Sequence, residues 1–129
     1  MESAAVLHLL SLHGGGVDRH VRDIAATVAR PHLLWHVGER AEVIEGAPGR
    51  RFRPLDPRRL DSEGERIARW LRGRGVGLLH LHSTALAARK RAEHLLERLD
   101  LPLLVTLHDV TFLRPDAFAF DDPRADPAW

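Results

Sequence analysis

A chain of 129 residues with 44% hydrophobic content can bury one core but is too short for an eight-stranded α/β barrel of ~250 residues. A formal net charge of +1 argues against a dedicated nucleic-acid binder, whose surface would be strongly basic. Zero cysteines exclude disulfides and thiolate metal sites.

The elements follow in chain order. "MESAAVLHLL" carries an acidic residue where a signal peptide would be positive, and no apolar run approaches the ~20 residues of a membrane span, so a cytoplasmic placement is expected. Residues 5–10, "AVLHLL", form an apolar run bounded by turn chemistry, which predicts a buried strand. Val17, Val21, Ile24, Ala25 and Val28 recur at helical spacing and predict a helix. "HLLWHV" at 32–37 reads as a second strand behind the helix-stopping Pro31. Residues 38–59 are rich in Gly, Pro and Arg, with short strands expected around Glu42–Glu45 and Arg51–Arg53.

Leu60, Ile67, Ala68 and Leu71 define a second helical face, with Asp61 or Ser62 as its cap and Gly73 and Gly75 at its end. "GLLHLH" at 77–82 predicts a strand, and Ser83 is placed to cap the next helix, whose apolar face is Ala85, Ala88, Ala92, Leu95, Leu96 and Leu99. "LLVTLH" at 103–108 predicts a last strand. Residues 1–114 thus form one domain, and 115–129, with three prolines and four aspartates, are expected to be a loop or frayed tail. Strand–helix alternation with near-continuous apolar strands predicts an α/β fold: a three-layer, Rossmann-like parallel sheet with helices on both faces and strand order 3-2-1-4-5.

In such a sheet ligands bind beyond the carboxyl ends of the strands, where the order reverses. The polar clusters fall at those ends: His13 and Gly14–Gly16 after the first strand, His82 and Ser83 after the strand at 77–82, and Thr106, His108 and Asp109 after the last. Three glycines ahead of a helix admit close approach of an anion to helix N–H groups, a phosphate or diphosphate being the natural guest. A tight turn with positive φ and close strand–helix packing accounts for them equally well. No Gly-Lys-Ser/Thr follows, so this is not a Walker loop, and Arg19 stands where the dinucleotide fingerprint needs its last glycine.

His80 and His82 share one face of their strand, and with His108 and Asp109 would suit a metallohydrolase, although that chemistry usually needs a barrel. The favoured reading packs His80 and His8 inside the sheet. His108, beside Asp109, is placed either to bond a ligand hydroxyl or simply to be exposed. Arg50, Arg51, Arg53, Arg58 and Arg59 read as a solvated loop that could also attract an acidic acceptor or anionic headgroups. Arg89, Lys90 and Arg91 read as a solvated helix surface.

"VLHLLSLHGGGVDRHVRDIA", "GVGLLHLHS" and "LPLLVTLHDV", in that order, resemble the N-terminal, acceptor-side domain of the family 4 retaining glycosyltransferases. The resemblance covers residues 4 to 114. It implies a two-domain B-type fold that moves a sugar from a nucleotide-sugar donor to an acceptor, with no metal or other cofactor. It places Gly14, Gly15 and Gly16 against the donor diphosphate and sugar. It assigns His108 and Asp109 to the catalytic centre beside the transferred sugar, and His13, His82 and Ser83 to the cleft lining. The family's second domain, with its nucleotide pocket, is not in this sequence, so a fragment with little turnover of its own is expected. Implied partners are the donor, an acceptor of unknown class and the second domain. Peripheral membrane contact and self-association through the uncovered cleft face are further expectations. A non-catalytic phosphate- or nucleotide-binding module is the alternative.

Overall fold

The computed structural model describes residues 4–11, 15–38, 42–47, 50–55, 63–83 and 85–108. Its strands are β1 (Ala5–Ser11), β2 (His32–Val37), β3 (Glu42–Gly46), β4 (Arg50–Leu55), β5 (Val76–Leu81) and β6 (Leu103–Val105). Its helices are α1 (Gly16–Thr27), α2 (Gly64–Gly73) and α3 (Leu86–Arg98). One sheet takes the order β4-β3-β2-β1-β5-β6, so the expected reversal beside β1 is present and an extra strand extends one edge. β2, β1, β5 and β6 run parallel, whereas β2–β3 and β3–β4 are antiparallel. The sheet is therefore mixed where the sequence predicts all-parallel pairing. Only residues 38–41 separate β2 from β3, too few for the crossover that a parallel pair requires.

Alternation along the strands sorts side chains to two unlike faces. Leu7, Leu9, Leu33, Trp35, Leu79 and Leu81 pack with Ile67, Ala68 and Leu71 of α2 and Ala88, Ala92 and Leu95 of α3 in one apolar core. On the other face Leu10 and Leu34 pack against Val21 of α1, with Val17 and Ala25 alongside. The remaining inward positions of that second face are largely histidines: His8, His32, His36, His80 and His82 are all buried. α1 is tied down at its first turn, where Asp18 accepts from Arg22 at 3.2 Å and from His36 Nε2 at 3.1 Å, and Arg22 also pairs with Glu45. Burial works against ionisation of Asp18, but the His36 and Arg22 hydrogen bonds outweigh it and hold its carboxyl below the usual range.

The helix starts depart from the expected caps. α2 begins after Glu63 without a side-chain cap bond, and Leu60, Asp61 and Ser62 lie outside the described residues. Its end is as expected, with Gly75 at φ 73°. Ala85, not Ser83, occupies the cap position of α3, and Ser83 Oγ instead accepts the Ala85 N–H at 3.2 Å. β6 is shorter than the expected strand at 103–108. No helix among the described residues is long and apolar enough to cross a membrane.

Arg91 corrects the reading of "RKR" as a solvated run. It lies between Ala88 and Leu95 on the buried face of α3, and its side chain is only 13% exposed. Its guanidinium donates to Glu42 Oε1 at 3.1 Å, while Trp35 Nε1–H donates to Glu42 Oε2 at 2.7 Å. β2, β3 and α3 thus meet at one buried carboxylate. Glu42→Ala leaves Arg91 without its counter-ion inside the core and is expected to lower unfolding free energy by about 3–5 kcal/mol. Glu42→Gln, which keeps an acceptor for Trp35, should lose less. Urea unfolding of the two variants checks the ranking, and equal midpoints for Glu42→Ala and wild type would contradict it.

Candidate functional site

The carboxyl ends of β1, β5 and β6 form a rim. His82 N–H donates to Leu9 C=O at 2.9 Å and Thr106 N–H to Leu81 C=O at 3.0 Å, so the ladders hold both residues just past the regular strands. The Ser11 and Ser83 hydroxyls lie 2.9 Å apart and link the ends of β1 and β5. His82 Nδ1 lies 3.2 Å from His108 Nε2. The rings of His108 and His20, the latter one turn into α1, meet edge to face with centroids 5.3 Å apart. The start of α1, His82–Ser83 and His108 therefore share one rim. His13, Gly14 and Asp109 lie outside the described residues.

The two described glycines of the loop differ. Gly15, the residue before α1, has φ 139°, a conformation that side chains disfavour. Gly16 has no such conformation, and a Cβ on either glycine would meet no described atom within 4 Å. Backbone geometry accounts for Gly15, but neither geometry nor close packing against the described residues accounts for Gly16. Its backbone lies clear of the described side chains at the positive end of a helix, where the first-turn N–H groups can receive an anion.

Behind the rim runs a chain of imidazoles. His108 Nε2 meets His82 Nδ1 at 3.2 Å, His82 Nε2 meets His8 Nδ1 at 2.8 Å, and His8 Nε2 meets His32 Nδ1 at 2.9 Å. His32 Nε2 ends the chain on the Val28 carbonyl at 3.0 Å. A carbonyl can only accept, so His32 Nε2 carries a proton. In the neutral chain every direction then follows. His32 Nδ1 accepts from His8 Nε2–H, His8 Nδ1 accepts from His82 Nε2–H, and His82 Nδ1 accepts from His108 Nε2–H. His80 stands beside this chain, its ring centroid 3.7 Å from that of His82 and its Nε2 2.7 Å from Thr106 Oγ1.

Burial is the main reason His8, His80 and His82 stay neutral. It lowers the pKa of His8 to about 3, with the neighbouring His80 and His32 adding to the effect. It lowers His80 to about 4, helped by His108 and His20, and His82 to about 2, helped by His80, His8, His108 and His20. Among the described residues no carboxylate acts on these rings, so none of them compensates a buried imidazolium.

The sequence points to His82, Ser83 and His108 at the rim but misses the continuation inward. The expectation that His8 and His80 are bland core residues is too weak for His8, which is bonded at both ring nitrogens although 1% exposed. The signal is the period of two, which puts His80 and His82 on one face of their segment; His8 joins that face through its pairing with His80. The metal reading paired His80 and His82 with His108 and Asp109. The structure instead gathers His8, His80 and His82, each offering a nitrogen within 4.8 Å of the others. Compared with known proteins, the chain matches no family model, no curated protein and no solved structure.

Because folding depresses the affinity of His8, His80 and His82 for protons, the unfolded chain takes up more protons once pH falls below about 6.5. Stability contributed by the neutral rings is present above that pH and is lost as pH falls toward their folded values. The urea midpoint is expected to be flat from about pH 7.5 to 8.5 and to drop steadily from about pH 6.5 to 4, with uptake of up to about three protons on unfolding. A midpoint that stays level or rises across the acid range would contradict the neutral chain.

Proposed function

We propose that this chain forms the acceptor-side domain of a retaining glycosyltransferase that draws its sugar from a nucleotide-sugar donor. The observation that carries the reading is the backbone at Gly15–Gly16, clear of the described side chains and on the same rim as His108 and His82–Ser83. The order of the three sequence motifs supports it. In this reading the donor diphosphate lies against the N-terminus of α1. There the N–H groups and the helix dipole offset charge that develops on the leaving phosphate as the glycosidic bond breaks. A second, facing domain supplies the nucleotide pocket.

The imidazole chain supports a hydrogen-bonding role for His108 toward the sugar. With Nε2–H committed to His82, Nδ1 carries the lone pair and accepts a hydrogen bond from a hydroxyl of the transferred sugar. It orients the sugar and is a weak base at most. The acceptor hydroxyl approaches from this domain's side of the cleft.

The test is transfer by a protein carrying this chain, assayed against a panel of uridine- and guanosine-diphosphate sugars with lipid and saccharide acceptors. Transfer or donor hydrolysis is expected, falling sharply in His108→Ala while the circular dichroism spectrum is kept. Absence of turnover with every donor would overturn the proposal. Micromolar nucleotide binding to the isolated chain, without turnover in the longer protein, would select a non-catalytic nucleotide-binding module instead.

Gly16→Ala separates the roles of the loop. Alanine is a better helix former and meets no described atom, so the melting temperature should hold or rise slightly. The added methyl stands where the donor approaches, and kcat/KM should fall about tenfold or more. A destabilised Gly16→Ala protein with unchanged kcat/KM would show that the glycine serves the turn alone.

A further inference from the structure

We propose that His8, His80 and His82 form a binding site for a borderline transition-metal ion, with Zn²⁺ as the occupant their chemistry favours. The inference stands independently of the glycosyl-transfer reading. All three rings are buried on one face of the sheet, His8 from β1, His80 from the adjacent β5 and His82 just past the end of β5, and His8 and His80 are paired directly across the ladder. Each offers one nitrogen within 4.8 Å of the other two. Zinc–imidazole bonds of about 2.0–2.1 Å place tetrahedral ligand nitrogens about 3.3 Å apart. Small ring movements reach that spacing from the present one, opening the 2.8 Å contact of His8 Nδ1 with His82 Nε2 and drawing in the wider pairs. Imidazole without carboxylate or carbonyl oxygen disfavours Ca²⁺ and Mg²⁺ and suits Zn²⁺.

The outer hydrogen bonds strengthen the case. Histidine ligands are normally oriented by a partner at the second ring nitrogen. With Nδ1 on the ion, His8 keeps Nε2–H on His32 Nδ1, and His32 in turn keeps Nε2–H on the Val28 carbonyl. With Nδ1 on the ion, His80 keeps Nε2–H on Thr106 Oγ1. With Nε2 on the ion, His82 donates through Nδ1–H to His108 Nε2. Every ligand thus has its orienting partner already in place. Metal entry requires one rearrangement, in which the His82 proton moves from Nε2 to Nδ1 and the His108 proton moves from Nε2 to Nδ1. No proton is lost, and Nδ1 of His108 changes from acceptor to donor. A water completes the tetrahedron.

The experiment is calorimetric titration of the chelator-stripped chain with ZnCl₂ near pH 7.5, paired with visible spectra of the Co²⁺-loaded chain. His80→Ala removes one ligand, and His94→Ala, on α3 across the sheet, controls for adventitious binding by surface histidines. One saturating equivalent is expected in wild type and His94→Ala, with affinity at least a hundredfold lower in His80→Ala. Zn²⁺ should raise the melting temperature of wild type but not of His80→Ala. Wild-type Co²⁺ should give the intense visible bands of a tetrahedral nitrogen site, a readout that does not depend on any variant folding. Absence of saturable binding, equal affinity in His80→Ala, or the pale spectrum of octahedral Co²⁺ would each overturn the site.

Discussion

A buried imidazole needs an answer at each of its two nitrogens, and this fold supplies the answers mainly from other imidazoles. The arrangement has no direction of its own, because a neutral ring can donate from either nitrogen. Direction comes from one backbone group, the Val28 carbonyl at the end of α1, which also accepts the Arg30 N–H at 2.8 Å. From that fixed acceptor the protonation of His32, His8, His82 and His108 follows in sequence out to the rim. An imidazolium placed anywhere inward would need acceptors facing both its N–H groups, and would sit in low dielectric with no carboxylate among the described residues to balance it.

This constraint explains why the two faces of the sheet are built differently. The face toward α2 and α3 is held by leucine packing and by the Glu42 carboxylate, which draws Trp35 and Arg91 together. The face toward α1 has a small apolar cluster around Val21 and relies on directional bonds elsewhere. Directional contacts fix geometry more tightly than apolar contact does, and they run to the rim where the glycine loop, Ser83 and His108 meet. The position and hydrogen-bonding character of His108 are therefore set from inside the sheet. Metal capture by His8, His80 and His82 would act on the same chain and reach His108 through it.

Much of the fold was legible because apolar periodicity decides element type. "HLLWHV" gives β2 at its observed bounds, and the Ala88–Ala92–Leu95–Leu99 spacing gives the buried side of α3. The antiparallel turn into β3 was not, since residues 38–41 follow no hydrophobic period and only chain length excludes a crossover. Arg91 was misread because charge outweighs spacing in a sequence, while in the fold a distant Glu42 reverses the balance. At the rim, strand ends located His82, Ser83 and His108. The inward chain depends on registers such as His8 opposite His80 and His32 opposite Val6, which a single sequence does not specify.

The central claim is a protonation pattern, and nitrogen-15 NMR of the histidine rings in the metal-free chain near pH 7.5 tests it most directly. His32, His8 and His82 are expected to be neutral and protonated at Nε2, with each Nδ1 showing the shift of a hydrogen-bonded acceptor. A positively charged ring, or an Nδ1–H tautomer at His8 or His32, would contradict the account.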